Sequence, residues 1–163
     1  MRRSKIEFMQ QQGFTTEGCQ DGLYSALMFQ PRVVGVVVIS SAVLQSPWLF
    51  LALSTVLWWS VLIPRHNVFD AFFKYVIANR MRLAAVPATP PARRFSQAMA
   101  GTFALSIAMT LFSGSSAAWL LEGVFIVASM SVAVRRFCVP AYVFHLLRPG
   151  APATPCPSSS GRV

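Results

Sequence analysis

Charge is missing from most of this chain. None of the fourteen Lys and Arg residues lies in Val33–Pro64 or in Phe95–Val134, and the only side chain in either block that is charged at neutral pH is Glu122. Charged residues make up 12% of the 163 residues, about half the share in an ordinary soluble domain. Runs this long and this apolar exclude a soluble single domain; about twenty such residues cross the hydrocarbon core of a bilayer as a helix. Acidic residues are scarce too, five against fourteen basic. The excess of +9 does not indicate nucleic acid, because the basic residues flank apolar blocks instead of gathering on a polar face. Charges so placed set orientation and attract anionic lipid headgroups.

Other absences narrow the chemistry. Three cysteines, Cys19, Cys138 and Cys156, are too scattered for a disulfide framework, and none forms a C-x-x-C pair. His66 and His145 have no second ligand at metal spacing. No paired carboxylates, phosphate loop or Ser/His/Asp arrangement occurs, so no enzyme, metal or cofactor is expected. At the N-terminus Arg2, Arg3 and Lys5 are followed by Glu7 and a Gln run instead of an apolar core, so no cleavable signal peptide is expected.

What is present reads as an all-α integral membrane protein. A polar, weakly ordered arm covers 1–22, and Leu23–Phe29 is expected as a short surface helix before Pro31. Four transmembrane helices follow at about 32–45, 47–64, 95–112 and 117–135, as two helical hairpins. Gln45–Pro47 and Ser113–Ser116 form the turns. A single long helix kinked at Pro47 is the rival reading of the first pair. Each crossing of the first pair is short, about sixteen residues or about 24 Å at 1.5 Å per residue. Each hairpin precedes an amphipathic interfacial helix, at about 67–83 and 137–147, the latter bent at Pro140. The segment 86–92 is a Pro-rich linker, and 148–163 a disordered Pro/Ser-rich tail.

The turns carry no basic residue, whereas the termini and the middle segment carry all fourteen. The positive-inside bias then makes both termini cytoplasmic. Trp48 and Trp119 are expected at one membrane interface, with Arg65, Arg135 and Arg136 anchoring the other. A shift of 71 positions superposes Trp48 on Trp119, Val56 on Val127, Ser60 on Ser131, Arg65 on Arg136 and Phe73 on Phe144, which suggests a parallel internal repeat.

Three features bear on function. Ser96, Ala100, Ala104 and Ala108 recur every four residues, a small-residue stripe where another helix can approach. Glu122 is the only acid in a span and the candidate for proton or cation handling, although its place near a helix N-terminus also explains it structurally. Cys138 follows two cations, which favour the thiolate, so it is the candidate redox thiol; a small apolar filler is the plainer reading.

The pieces QPRVVGVVV (Gln30–Val38), SPWLFLAL (Ser46–Leu53), RRFSQAMA (Arg93–Ala100) and RRFCVPAYVF (Arg135–Phe144) resemble a family of small bacterial membrane proteins, the domain of unknown function 4395. The resemblance extends over roughly Gln30–Leu147 and implies a bacterial inner-membrane location. Members typically end the fourth span with F-C-x-x-C; here Phe137 and Cys138 are kept, and Ala141 replaces the second cysteine. A lone thiol cannot cycle through an internal disulfide. The leading expectation is a non-catalytic accessory or scaffolding subunit that binds another membrane protein or a second copy of itself. A thiol-redox helper using Cys138 and a small transporter or channel using Glu122 are the alternatives.

Overall fold

The computed structural model describes residues 3–15, 21–63, 68–72, 75 and 89–154, and these are all-helical apart from turns and one isolated bridge. The helices are α1 (Arg3–Gln11), α2 (Asp21–Val43), α3 (Pro47–Leu62), α4 (Val68–Phe72), α5 (Pro91–Phe112), α6 (Ala117–Met130) and α7 (Val139–Leu147). A π-helical turn, Ser131–Arg135, continues α6. Three segments are long and apolar enough to cross a membrane: Tyr24–Val43, Pro91–Phe112 and Ala117–Arg135. The apolar α3 is shorter, at 16 residues.

Side-chain pairings fix the directions. Early α2 meets early α5 where Arg93 and Gln97 donate to Gln30. Early α3 meets late α5 at the Trp48–Phe112 ring contact, and late α3 meets early α5 where Arg94 donates to the Val61 carbonyl. The end of α2 meets the start of α6 through Gln45 and Glu122. Hence α2 and α5 run one way, α3 and α6 the other. The turns 44–46 and 113–116 lie at one end of the bundle. Chain ends gather at the other, where Gln11 holds Cys138 and His145, and Thr15 and Gly13 pair with Thr154.

The closest packing is between α3 and α5, and the reason is Gly101. A Cβ there would lie 3.0 Å from Trp58 Cδ1 and 3.4 Å from Leu57 Cβ, so glycine lets the helices approach this far without displacing Trp58. At that contact Ser54 Oγ donates to the Gly101 carbonyl across 2.8 Å. The core of Val38, Phe50, Leu57, Ala104, Ile107 and Ala108 grows around it. A second apolar cluster, Phe8, Met9, Phe14, Tyr24, Leu27 and Met28, sits at the termini end.

Several expectations need correction. The N-terminal stretch is not a weakly ordered arm where described: α1 is a helix whose Phe8 and Met9 are buried, because early α2 offers them an apolar face. No separate helix precedes Pro31; α2 runs through it from Asp21, beginning before the expected 32. Proline costs one backbone hydrogen bond there, which the packing of the helix on both sides outweighs. The chain between 33 and 63 is two helices, not one kinked helix: it leaves α2 through Gln45 at φ 47° and restarts at Pro47, a suitable first-turn residue. α5 starts at Pro91, inside the expected linker and ahead of 95, again with proline in the first turn. Pro140 likewise opens α7 instead of bending it. The tail is ordered as far as Thr154 by its pairing with Gly13 and Thr15. Of the expected interfacial helix 67–83, Val68–Phe72 is α4, with Phe69 in the core and Phe72 stacked on Phe29, and Tyr75 is exposed; the remaining positions, like Arg65 and Phe73, lie outside the described residues.

The helices of each expected hairpin are not each other's main neighbours. α3 packs chiefly on α5, and α2 on α6. If α2–α3 and α5–α6 are two halves, the first helix of each rests on the second helix of the other. Of the pairs related by the 71-residue offset, those involving Arg65 and Phe73 lie outside the described residues. Ser60 Oγ donates to the Val56 carbonyl (2.9 Å) and Ser131 Oγ to the Val127 carbonyl (2.8 Å), and Trp48 and Trp119 are both exposed.

Candidate functional site

Three places hold the polar groups of the bundle. The first is at the termini end, where α2 and α5 begin. Arg93 Nη2 (2.9 Å) and Gln97 Nε2 (3.0 Å) both donate to Gln30 Oε1. All three side chains are buried, Gln97 to 3% exposure. The amide orientations follow from chemistry: a guanidinium only donates, so the Gln30 oxygen must face it, and the Gln97 nitrogen must then face that oxygen. Gln97 Oε1 is left buried without a hydrogen-bond partner. Neighbouring Arg94 points the other way and caps the last turn of α3 at the Val61 carbonyl, where a cation is favoured.

Cys138 lies beside this cluster, at 5% exposure. Its Sγ donates to Ser96 Oγ (3.6 Å), and its backbone N–H donates to Gln11 Oε1 (3.2 Å). Gln11 also offers its backbone carbonyl to His145 Nε2 at 3.1 Å. Thus α1 lies over the thiol. The two preceding cations do not surround it: Arg135 is exposed, and Arg136 turns away in the left-handed conformation (φ 59°) to stand 5.6 Å from the Tyr24 ring centre. Lys5 stands over the same ring at 5.0 Å. Cys138 is held as a buried, hydrogen-bonded thiol, contrary to the exposed and electropositive setting that reactivity needs.

At the turn end, Glu122 is 3% exposed. Gln45 Nε2 donates to Glu122 Oε2 (2.9 Å) and to the Ala42 carbonyl (2.7 Å), while Glu122 Oε1 has no partner. Buried near the start of α6, Glu122 ties that helix to the end of α2. Among the described residues no group of His, Cys, Asp and Glu could hold a metal ion.

The third feature is a cavity of about 720 Å³ between α5 and α6, floored by α2. Trp119, Val124, Val127 and Phe103 belong to its apolar walls, and Gln30, Arg93, Gln97 and Cys138 line its polar part. Trp119, at 67% exposure, stands towards the opposite end of α6.

The predicted stripe on α5 divides. Ala104 and Ala108 are fully buried against α3, whereas Ser96 and Ala100 line the cavity. Gly101, off that stripe, makes the closest approach. A second set at the same spacing is Ala98, Thr102, Ser106 and Thr110. Thr102 and Ser106 are exposed, and each hydroxyl donates to the carbonyl four residues back: Thr102 to Ala98 (2.9 Å), Ser106 to Thr102 (3.0 Å) and Thr110 to Ser106 (3.0 Å).

The family model for a domain of unknown function (DUF4395) matches residues 25–148. The chain belongs to the DUF4395 family. The matched region runs from α2 through α7, so the bundle, the polar cluster and the cavity lie within the family domain, and α1 lies outside it. The family-like pieces acquire a physical role: Gln30 of QPRVVGVVV joins Arg93 and Gln97 of RRFSQAMA in one hydrogen-bonded cluster. Neither the comparison with curated proteins nor that with solved structures gives a match.

Proposed function

We propose that this DUF4395 chain is a non-catalytic accessory or scaffolding subunit of a bacterial inner membrane. It crosses four times, with both termini cytoplasmic, and binds another membrane protein through the outer face of α5. The observation that carries the reading is the outward row Ala98, Thr102, Ser106 and Thr110. Exposed hydroxyls have no need of an intrahelical acceptor in water, but in lipid every donor needs one. A row of small residues whose hydroxyls are already satisfied gives a smooth surface on which another helix can lie closely.

The same bonding speaks against a water-lined path. Thr55, Thr102, Ser106, Thr110 and Ser131 all donate to their own helices. Four crossings require the 16-residue α3 to span about 24 Å. That is shorter than the usual core of about 30 Å, and local thinning of the bilayer accommodates the difference at modest cost. With the basic termini end inward, Lys5, Arg94, Arg135 and Arg148 face anionic headgroups.

The test is purification in mild detergent of the wild type and of a Thr102→Leu, Ser106→Leu double variant. The wild type should carry a stoichiometric membrane-protein partner that photo-crosslinks from position 106 and not from position 62. The double variant should fold and lose it. A monomeric wild type that crosslinks only to lipid, or a partner indifferent to the two leucines, overturns the proposal; a self-crosslink assigns the face to a second copy.

A further inference from the structure

We infer that the cavity between α5 and α6 is a binding site for one anionic glycerophospholipid whose headgroup carries a free hydroxyl. The inference rests on the membrane placement proposed above, but not on the partner or on the outer face of α5.

The cavity has the proportions of an acyl chain with a headgroup at one end. Its wall on α6 runs from Trp119 to Val132, about 20 Å at 1.5 Å per residue. The residues facing it, among them Leu120, Val124 and Val127, recur at helical spacing and are apolar. The polar part is confined to the termini end, where Arg93, Gln97 and Gln30 come together at the start of α5. That is the level of phospholipid headgroups for a helix that begins at the membrane surface.

Two features of the polar end specify the head. Arg93 supplies a buried positive charge within the first turn of α5, and the positive end of the helix dipole also favours an anion there. A phosphate matches both. Gln97 Oε1 is a buried acceptor for which the described residues supply no donor, a costly arrangement in an apolar setting. A phosphate cannot satisfy it, because at neutral pH it only accepts. A hydroxyl carried on the same headgroup can. A phosphodiester bearing a glycerol-type alcohol offers both groups a few bonds apart, whereas a choline head offers charge of the wrong sign and no donor. One acyl chain lies along α6, and the second stays in the surrounding bilayer.

The experiment is native mass spectrometry of the protein released from detergent, with phosphatidylglycerol, phosphatidylcholine or soluble glycerol phosphate added in turn. The wild type should retain a single phosphatidylglycerol at least tenfold more tightly than phosphatidylcholine. Glycerol phosphate, which has the head but no chain, should be retained no better than phosphatidylcholine. Val124→Trp, a change at an exposed wall position, should fold as the wild type and lose the preference by filling the chain slot. Gln97→Leu should keep the chain and lose the distinction between a hydroxylated and a choline head. Equal retention of the two lipids, binding of glycerol phosphate alone, or an unchanged preference in Val124→Trp overturns the site. A chain that stays soluble without detergent overturns the membrane placement itself.

Discussion

Replacing Gly101 tests whether the α3–α5 contact organises the bundle. Its position leaves a hypothetical Cβ 3.0 Å from Trp58 Cδ1, 3.1 Å from Trp58 Nε1 and 3.4 Å from Leu57 Cβ. Alanine needs only a small movement of a ring that is partly exposed. Against this, alanine gains about 1 kcal/mol over glycine inside a helix, so Gly101→Ala should fall within about 1 kcal/mol of the wild type. Leucine cannot be absorbed so cheaply. Its branch must displace Trp58 or push α3 outward, and overpacking of this kind costs about 1–3 kcal/mol. Outward movement also stretches the 2.8 Å bond from Ser54 Oγ to the Gly101 carbonyl, worth about 1 kcal/mol. After the helix-propensity gain the net loss is about 2 kcal/mol. Reversible denaturation in mixed micelles, followed by tryptophan fluorescence, measures it. Trp58→Ala in the Gly101→Leu background empties the contested space and should recover about half of the loss, a coupling that a double-mutant cycle isolates. A leucine variant as stable as the wild type refutes the close-approach argument, as does strict additivity with Trp58→Ala.

Three further outcomes follow from the polar groups. Cys138 should react with a water-soluble maleimide about tenfold or more slowly in the folded protein than after denaturation, and deleting residues 1–14 should remove most of that protection; fast labelling of the intact protein would contradict the cover by α1. Glu122→Gln should hold stability within about 1 kcal/mol, because an amide oxygen still accepts from Gln45, whereas Glu122→Leu should cost about 1–2 kcal/mol and disturb the α2–α6 contact; equal behaviour of the two in the same denaturation assay would show that the Gln45 bond contributes nothing. Phe8→Ala should cost about 3 kcal/mol in the unfolding of the termini end, read by hydrogen exchange in α1 and early α2, since Phe8 is fully buried and packs edge-on against Tyr24 at 6.2 Å; unchanged exchange would mean that α1 is not part of the fold.

The apolar helices were legible because length and absence of charge suffice to mark them. Proline positions were legible in kind but not in consequence. Pro47, Pro91 and Pro140 all open helices, and Pro31 lies within one. A pyrrolidine ring permits both first-turn and kinked sites, and only the packing on either side decides. α1 is not legible because its mean composition is polar, and Phe8 and Met9, with Phe14 just beyond the helix, become a signal only once Tyr24, Leu27 and Met28 are known to face them. The polar cluster was half visible. Arg93 and Gln97 share a face at i and i+4, but Gln30 is 63 positions from Arg93, and no local pattern reports that separation.

Between helices in lipid the hydrophobic effect gives little drive, so association depends on close packing and on hydrogen bonds that cross helices. In this bundle side-chain hydrogen bonds join specific pairs of helices. Ser54 to Gly101 fixes α3 on α5, Gln30 with Arg93 and Gln97 fixes α2 beside α5, and Gln45 to Glu122 fixes the end of α2 on the start of α6. The glycine and the two small buried residues Ala104 and Ala108 give α3–α5 the tightest interface, where Ser54 bonds Gly101 at the contact and Arg94 bonds the Val61 carbonyl at one end. The α2–α6 pair is less closely packed and is held by a carboxylate–amide tie at one end. That difference leaves a gap along α6 where the cavity opens. The lone acid of the apolar blocks is thus more economically explained as a clamp than as a carrier.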